Sequence, residues 1–275
     1  MSDHYLDDLI YSKDSDSIKR LADVIKVGLG RSGDVSTKAA ALADNIRTLG
    51  ATYSATGQAW EIIPDLCSIM ISVAYRLPPD HPWQNTFVQA MQNVQQTDRD
   101  DQVRHKKWKD LPYLRIFMRD FWFDPTSRDG WTPEDVSRWK NLNSFAARFK
   151  TETFRPWHNF AIWQLREGLE EKLDKGPILN SRLWIATEWI LFYGEIIFER
   201  QASEEECDEY FARSFRGGSI CLGIKPLSFA RLAFWKKRLL EMLDDREALG
   251  LSDELAERVA KSAEKIDEFQ NSQSQ

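Results

Sequence analysis

Two glutamates, Glu188 and Glu195, interrupt the longest apolar run of the chain, LWIATEWILFYGEIIF (183–198). A carboxyl group withdrawn from water resists ionisation, and one facing an aromatic cavity works as a general acid or base near neutral pH. A helical wheel places Trp184, Glu188, Phe192, Glu195 and Glu199 on one stripe, with Ile185, Trp189, Ile190, Ile196 and Ile197 on other faces. A helix apolar on several sides is central, so both glutamates are expected to be at least partly buried. On the preceding segment His158, Ile162, Leu165, Leu169 and Leu173 share a face that also holds Arg166. A buried guanidinium needs a partner, and an Arg166 pair with Glu188 or Glu195 is the expectation. Such a pair reads first as a structural ion pair fixing how two central helices meet, and second as a catalytic set of Glu188, Glu195 and Arg166.

The phrase WKNLNSFAARF (139–149) puts Asn141, Ser144 and Arg148 on a polar stripe opposite Trp139, Leu142, Ala146 and Phe149. It reads as a solvated or inter-helix face, with an anion clamp as the functional alternative. Eleven tryptophans stand in 275 residues. They bring large apolar area with one polar handle each, which suits thick helix packing, an apolar cavity or a sticky surface. Asn141, Arg148, Trp163, Trp184 and Trp189 are the candidate ligand-binding residues.

Other chemistries find less footing. Gly28, Gly30 and Gly33 spell G-x-G-x-x-G. A dinucleotide site needs a buried strand before the glycines, a helix after them and an acidic residue about 20 positions on. Here Ile18, Leu21, Ala22, Ile25 and Leu29 recur with helical period up to the glycines, which read as a helix stop, with Asp34 or Ser36 capping the next helix. Of the histidines, His4 lies in the tail and His81 in a turn, and His105 and His158 lack a second ligand at metal-binding spacing. The acids at Asp7, Asp98 to Asp101 and Asp244 sit in tail, linker and helix-end contexts, unlike the facing acidic helices that isoprenoid cyclases need. RGG at Arg216 to Gly218 occurs once and reads as a turn. Neither a metal nor a cofactor is expected.

Elements to position these residues follow from composition and period. Hydrophobic residues are 42% and charged residues 29%, enough apolar matter for a folded, soluble chain. With 37 basic and 43 acidic side chains and no isolated basic block, no nucleic-acid footprint is visible. Three scattered cysteines, Cys67, Cys207 and Cys221, suggest neither disulfides nor zinc and fit a reducing compartment, the cytoplasm or the nucleus. The acidic N-terminus lacks a secretory pattern, and the 183–198 run is too short and too charged for a membrane span.

Helical period predicts helices over 59–77, 82–96, 100–109, 111–121, 133–153, 157–174, 181–200, 204–215, 228–245 and 252–270, after those of the N-terminal part. The fold class is all-α, a single compact domain of about ten helices. Residues 1–56 form N-terminal helices, 57–270 the core and 271–275 a frayed tail, with the loop at 124–132 as the internal lobe boundary.

The ordered phrases KWKDLPYL (107–114), WKNLNSFAARF (139–149), AIWQLREGLE (161–170), ATEWILFYGEIIF (186–198) and RLAFWKKRL (231–239) resemble the fungal domain of unknown function 3632 (DUF3632). The likeness spans roughly residues 60 to 265. It implies a fungal, mostly helical, soluble protein without an established reaction, and it carries over no catalytic residue. The expected function is a binding or interaction protein whose Trp-rich groove takes an apolar small molecule or a protein partner. The alternative is a cofactor-independent enzyme of specialised metabolism using a buried carboxylate.

Overall fold

The computed structural model describes residues 4–10, 14–55, 59–96, 111–150, 157–203 and 208–273, and among them it is helical without a strand. The expected helix at 100–109, with His105, and Cys207 lie outside the described residues. The chain divides into two compact units, Met1–Arg155 and Pro156–Gln275. The loop at 124–132 therefore lies inside the first unit, and the division falls after Arg155 instead.

The first unit holds α1 (Asp16–Gly30), α2 (Val35–Ala55), α3 (Ala59–Arg76), α4 (Pro82–Gln96), α5 (Pro112–Phe121) and α6 (Pro133–Arg148). α3 is its centre and packs against α1, α2, α5 and α6, burying Leu66, Met70, Ile71 and Val73. Gly28 and Gly30 lie at the end of α1, as its apolar period predicts, and Gly33 lies between α1 and α2. Gly28 sits where α1 meets α2, and a Cβ there would come 2.7 Å from Leu42 Cδ1. Asp34 caps α2, its carboxylate accepting from the Thr37 amide at 2.9 Å and hydroxyl at 2.7 Å.

α6 opens with a reciprocal cap. The Asp135 amide donates to the Thr132 hydroxyl, while the Asp135 carboxylate accepts from the Thr132 hydroxyl at 2.7 Å and amide at 2.9 Å. These donors hold the Asp135 carboxyl below its ordinary value of 3.8. A pKa depressed by folding adds stability that is complete above the unfolded value and is lost as pH falls through the folded one. The Tm difference between the wild type and Asp135→Asn is therefore expected to be constant above about pH 5 and to shrink below about pH 4. Thermal melts across that range check it; a difference that stays constant down to about pH 2 would contradict this account of the cap.

The second unit holds α7 (Trp157–Leu165), which continues as a π-helical turn over Arg166–Glu170, then α8 (Pro177–Ala202), α9 (Glu209–Ser214), α10 (Phe229–Asp244), α11 (Arg246–Leu249) and α12 (Asp253–Ser272). α8 packs against α7, the π turn, α10 and α12, and it buries residues around most of its circumference, from Leu183 and Ile185 to Trp189, Ile190 and Phe198. Pro177 opens it four residues ahead of the expected start, since proline at the first helical position loses no needed donor.

Of the nine tryptophans whose side chains are described, Trp139, Trp157, Trp189 and Trp235 are buried, and Trp83, Trp122, Trp131, Trp163 and Trp184 are half-buried. Their apolar area serves the interior of both units. No described helix is long and apolar enough to cross a membrane.

Candidate functional site

Glu188 is fully buried on α8, as its apolar surroundings predict, but its partner is Arg258 of α12. Arg258 Nη2 donates to Glu188, its Nε donates to the Thr187 hydroxyl at 3.3 Å, and its guanidinium lies 4.4 Å from the centre of the Trp184 ring. Arg166 does not meet either glutamate. It stands 3.8 Å from Glu167, which Arg182 engages at 3.0 Å. Glu195 is exposed, contrary to expectation. From Arg166 the helix continues as a π turn, whose i to i+5 bonding adds a residue and brings Glu170 inward beside Leu169.

The candidate ligand residues are distributed over both units. In α6 Asn141 is buried, its Nδ2 donating to the Tyr75 carbonyl at 2.9 Å, and Arg148 is half-buried in the last turn. The polar stripe of α6 is thus an inter-helix face. In the second unit Trp163 is half-buried and donates from Nε1 to the Ser214 carbonyl at 3.1 Å, and Trp184 is half-buried beneath Arg258. Trp189 is fully buried, edge-on to Tyr193 at 5.5 Å.

The phase change at the π turn turns a different acid inward, one that sequence reasoning missed. Glu170 and Arg231 are both fully buried and form a bidentate pair, Nε to Oε1 at 2.7 Å and Nη2 to Oε2 at 3.0 Å. Trp235 Nε1 donates to Oε1 at 2.6 Å and the Gly218 amide to Oε2 at 2.9 Å. Arg231 spends its remaining donors on the carbonyls of Phe215 at 2.6 Å, Pro226 at 2.9 Å and Arg216 at 3.4 Å. Gly218 has to be glycine here: a Cβ would lie 2.4 Å from the Glu170 carbonyl oxygen. The RGG turn is therefore the wrapping of a buried ion pair. With both carboxylate oxygens accepting two donors each, Glu170 has no lone pair left for proton transfer. A visible signal existed, since Arg231 and Trp235 lie one helical turn apart on one face of α10.

The two described thiols, Cys67 and Cys221, are poor nucleophiles. Burial pushes Cys67 up to about 12 and Cys221 up to about 11, so both stay protonated at neutral pH. Among the described residues no three His, Cys, Asp or Glu side chains gather in a way that could hold a metal ion.

What the first unit does have is a concave site. A cleft of about 510 Å³ lies between α3, the end of α5 and α6, within the size range of small-molecule sites. After α5 the chain turns tightly at Trp122, whose backbone angles are φ −82° and ψ 83°, with the Phe123 amide donating to the Phe121 carbonyl at 3.0 Å. Trp122 turns inward, edge-on to Trp139 at 4.9 Å, while Phe121 and Phe123 remain 49% and 41% exposed at the cleft. Tyr75 of α3 fixes this arrangement by donating its hydroxyl to the Phe121 carbonyl at 3.0 Å. Burial raises the Tyr75 pKa, so the phenol remains a donor at neutral pH. The Arg128 guanidinium lies 4.1 Å from the centre of the Phe123 ring. From α6 come Asp135, Arg138 and Trp139; from α3 also Ser72 and Arg76.

No curated protein and no solved structure matches the chain. A family model does match it over residues 68–239, a span that holds the cleft residues and the Glu170–Arg231–Trp235 cluster but stops short of Arg258. That model covers more than half of the chain, and the chain belongs to the family it describes, "Protein of unknown function (DUF3632)".

Proposed function

We propose that this is a binding protein that takes the apolar body of a small molecule into the cleft between α3, α5 and α6. The observation that carries the proposal is the pair of exposed phenylalanines, Phe121 and Phe123, held at a concave site of about 510 Å³ instead of being packed away. The groove is phenylalanine-walled, with Trp139 as its one indole. Acid–base chemistry by a buried carboxylate has less support, because Glu188 and Glu170 are each engaged by an arginine. Free, buried Cys67 and Cys221 support residence in a reducing compartment, the cytoplasm or the nucleus.

N-phenyl-1-naphthylamine, a neutral dye that brightens in apolar surroundings, tests the proposal. It is expected to titrate the protein saturably, and Phe121→Ala with Phe123→Ala is expected to weaken that binding by about tenfold or more, since each lost ring contact removes on the order of 1 kcal/mol. Unchanged dye affinity in the folded double variant would reject the cleft as the binding site.

A further inference from the structure

The polar groups around the cleft are unequal in what they have left to give, and the imbalance specifies a ligand. Its lining carboxylate, Asp135, is occupied by the Thr132 amide and hydroxyl. Free donors are in surplus. Arg76 is half-buried and meets backbone carbonyls, Ser72 at 2.9 Å and Asp8 at 3.1 Å, so its charge is not balanced by a carboxylate among the described residues. Among the described residues Arg138 is paired with Glu134 at 2.6 Å, in an exposed i,i+4 contact of the kind that holds its partners weakly, and it also attracts the nearby Asp135 carboxylate. A half-buried cation without a counter-charge favours an incoming anion.

We infer that the cleft is built for a small aromatic or similarly flat apolar molecule that carries one anionic acceptor group, such as a carboxylate or sulfonate. This rests on the binding reading above and narrows it. The apolar body lies against Phe121 and Phe123, and the anion meets the Arg138 guanidinium, whose planar fork suits two oxygens of one acid group. An amine or an uncharged hydrocarbon of the same shape would leave the donors unanswered.

Two dyes with the same anilinonaphthalene body separate the two statements. 8-Anilinonaphthalene-1-sulfonate carries a sulfonate; N-phenyl-1-naphthylamine does not. The sulfonate is expected to bind the full-length protein at least tenfold more tightly, with the preference falling as salt is raised. Arg138→Gln should erase most of that preference and leave the neutral dye unaffected. Equal affinity for the two dyes, or a preference that survives Arg138→Gln, overturns the inference while leaving a neutral apolar site standing. Failure of both dyes to bind overturns the inference and the binding reading together.

Discussion

Arg231→Leu is expected to cost about 3–5 kcal/mol of stability, because it leaves the Glu170 carboxylate buried without its counter-charge. The change should appear as a lower urea midpoint by far-UV circular dichroism. Faster hydrogen exchange is expected at the amides of Gly218 and Ile220, which donate to the Glu170 carboxylate at 2.9 Å and carbonyl at 3.0 Å respectively. An isolated buried pair can often be exchanged for two apolar side chains without loss. This one differs, because its partners are largely outside the pair. With both charges removed, the Trp235 N–H and the Gly218 amide lose their acceptor, and the carbonyls of Phe215, Pro226 and Arg216 lose a donor. Each buried group so stranded costs about 1–3 kcal/mol. The double variant Glu170→Leu with Arg231→Leu is therefore expected to stay as unstable as either single change. A double variant that regains wild-type stability would show that the pair does not organise the 215–226 segment.

Local signals in the sequence are strong where one short stretch decides the outcome. Asp34 announces the start of α2, and the apolar period through Leu29 excludes a strand before the glycine string. Glu188 is legible as buried because the residues around it are apolar on several faces. Its partner is not legible, since Arg258 lies 70 residues away, and nothing local to either residue selects the other. Arg166 shows a different limit. The π turn adds a residue to the turn, so Glu170 joins Leu169 in the interior, one position round from the face an ideal wheel describes. The cleft is harder still. Tyr75, Phe121 and Trp139 come from three elements, and the first two are tied by the Tyr75 hydroxyl's bond to the Phe121 carbonyl and by an edge-on ring contact at 5.9 Å. Phe121, Trp122 and Phe123 do carry a readable cue: three aromatics in a row at a helix end cannot all face one core once the helix stops and the chain turns.

Trp189→Ala is expected to cost about 3–5 kcal/mol, the usual range for removing a large buried side chain whose space the surroundings do not refill. Trp189 is fully buried on α8, and its edge contact with Tyr193 at 5.5 Å continues to His158, whose ring lies 5.8 Å from Tyr193. Loss of the indole therefore opens a cavity between α7 and α8. Trp184 is the control on the same helix. It is half-buried under the Arg258 guanidinium, so Trp184→Ala removes a cation–π contact of about 0.5–1 kcal/mol and leaves the Arg258–Glu188 pair in place. Urea melts of the two variants should differ accordingly, by several-fold in destabilisation. Dye binding makes the comparison decisive for function. Both residues belong to the second unit and the cleft to the first, so a folded Trp184→Ala protein should bind 8-anilinonaphthalene-1-sulfonate as the wild type does. If Trp189→Ala kept wild-type stability and lost dye binding, Trp189 would be a ligand contact and not a packing residue. Composition shows that tryptophan is abundant here; burial assigns most of the described tryptophan area to the separate interiors of the two units, and the aromatic side chains exposed at the cleft are two phenylalanines.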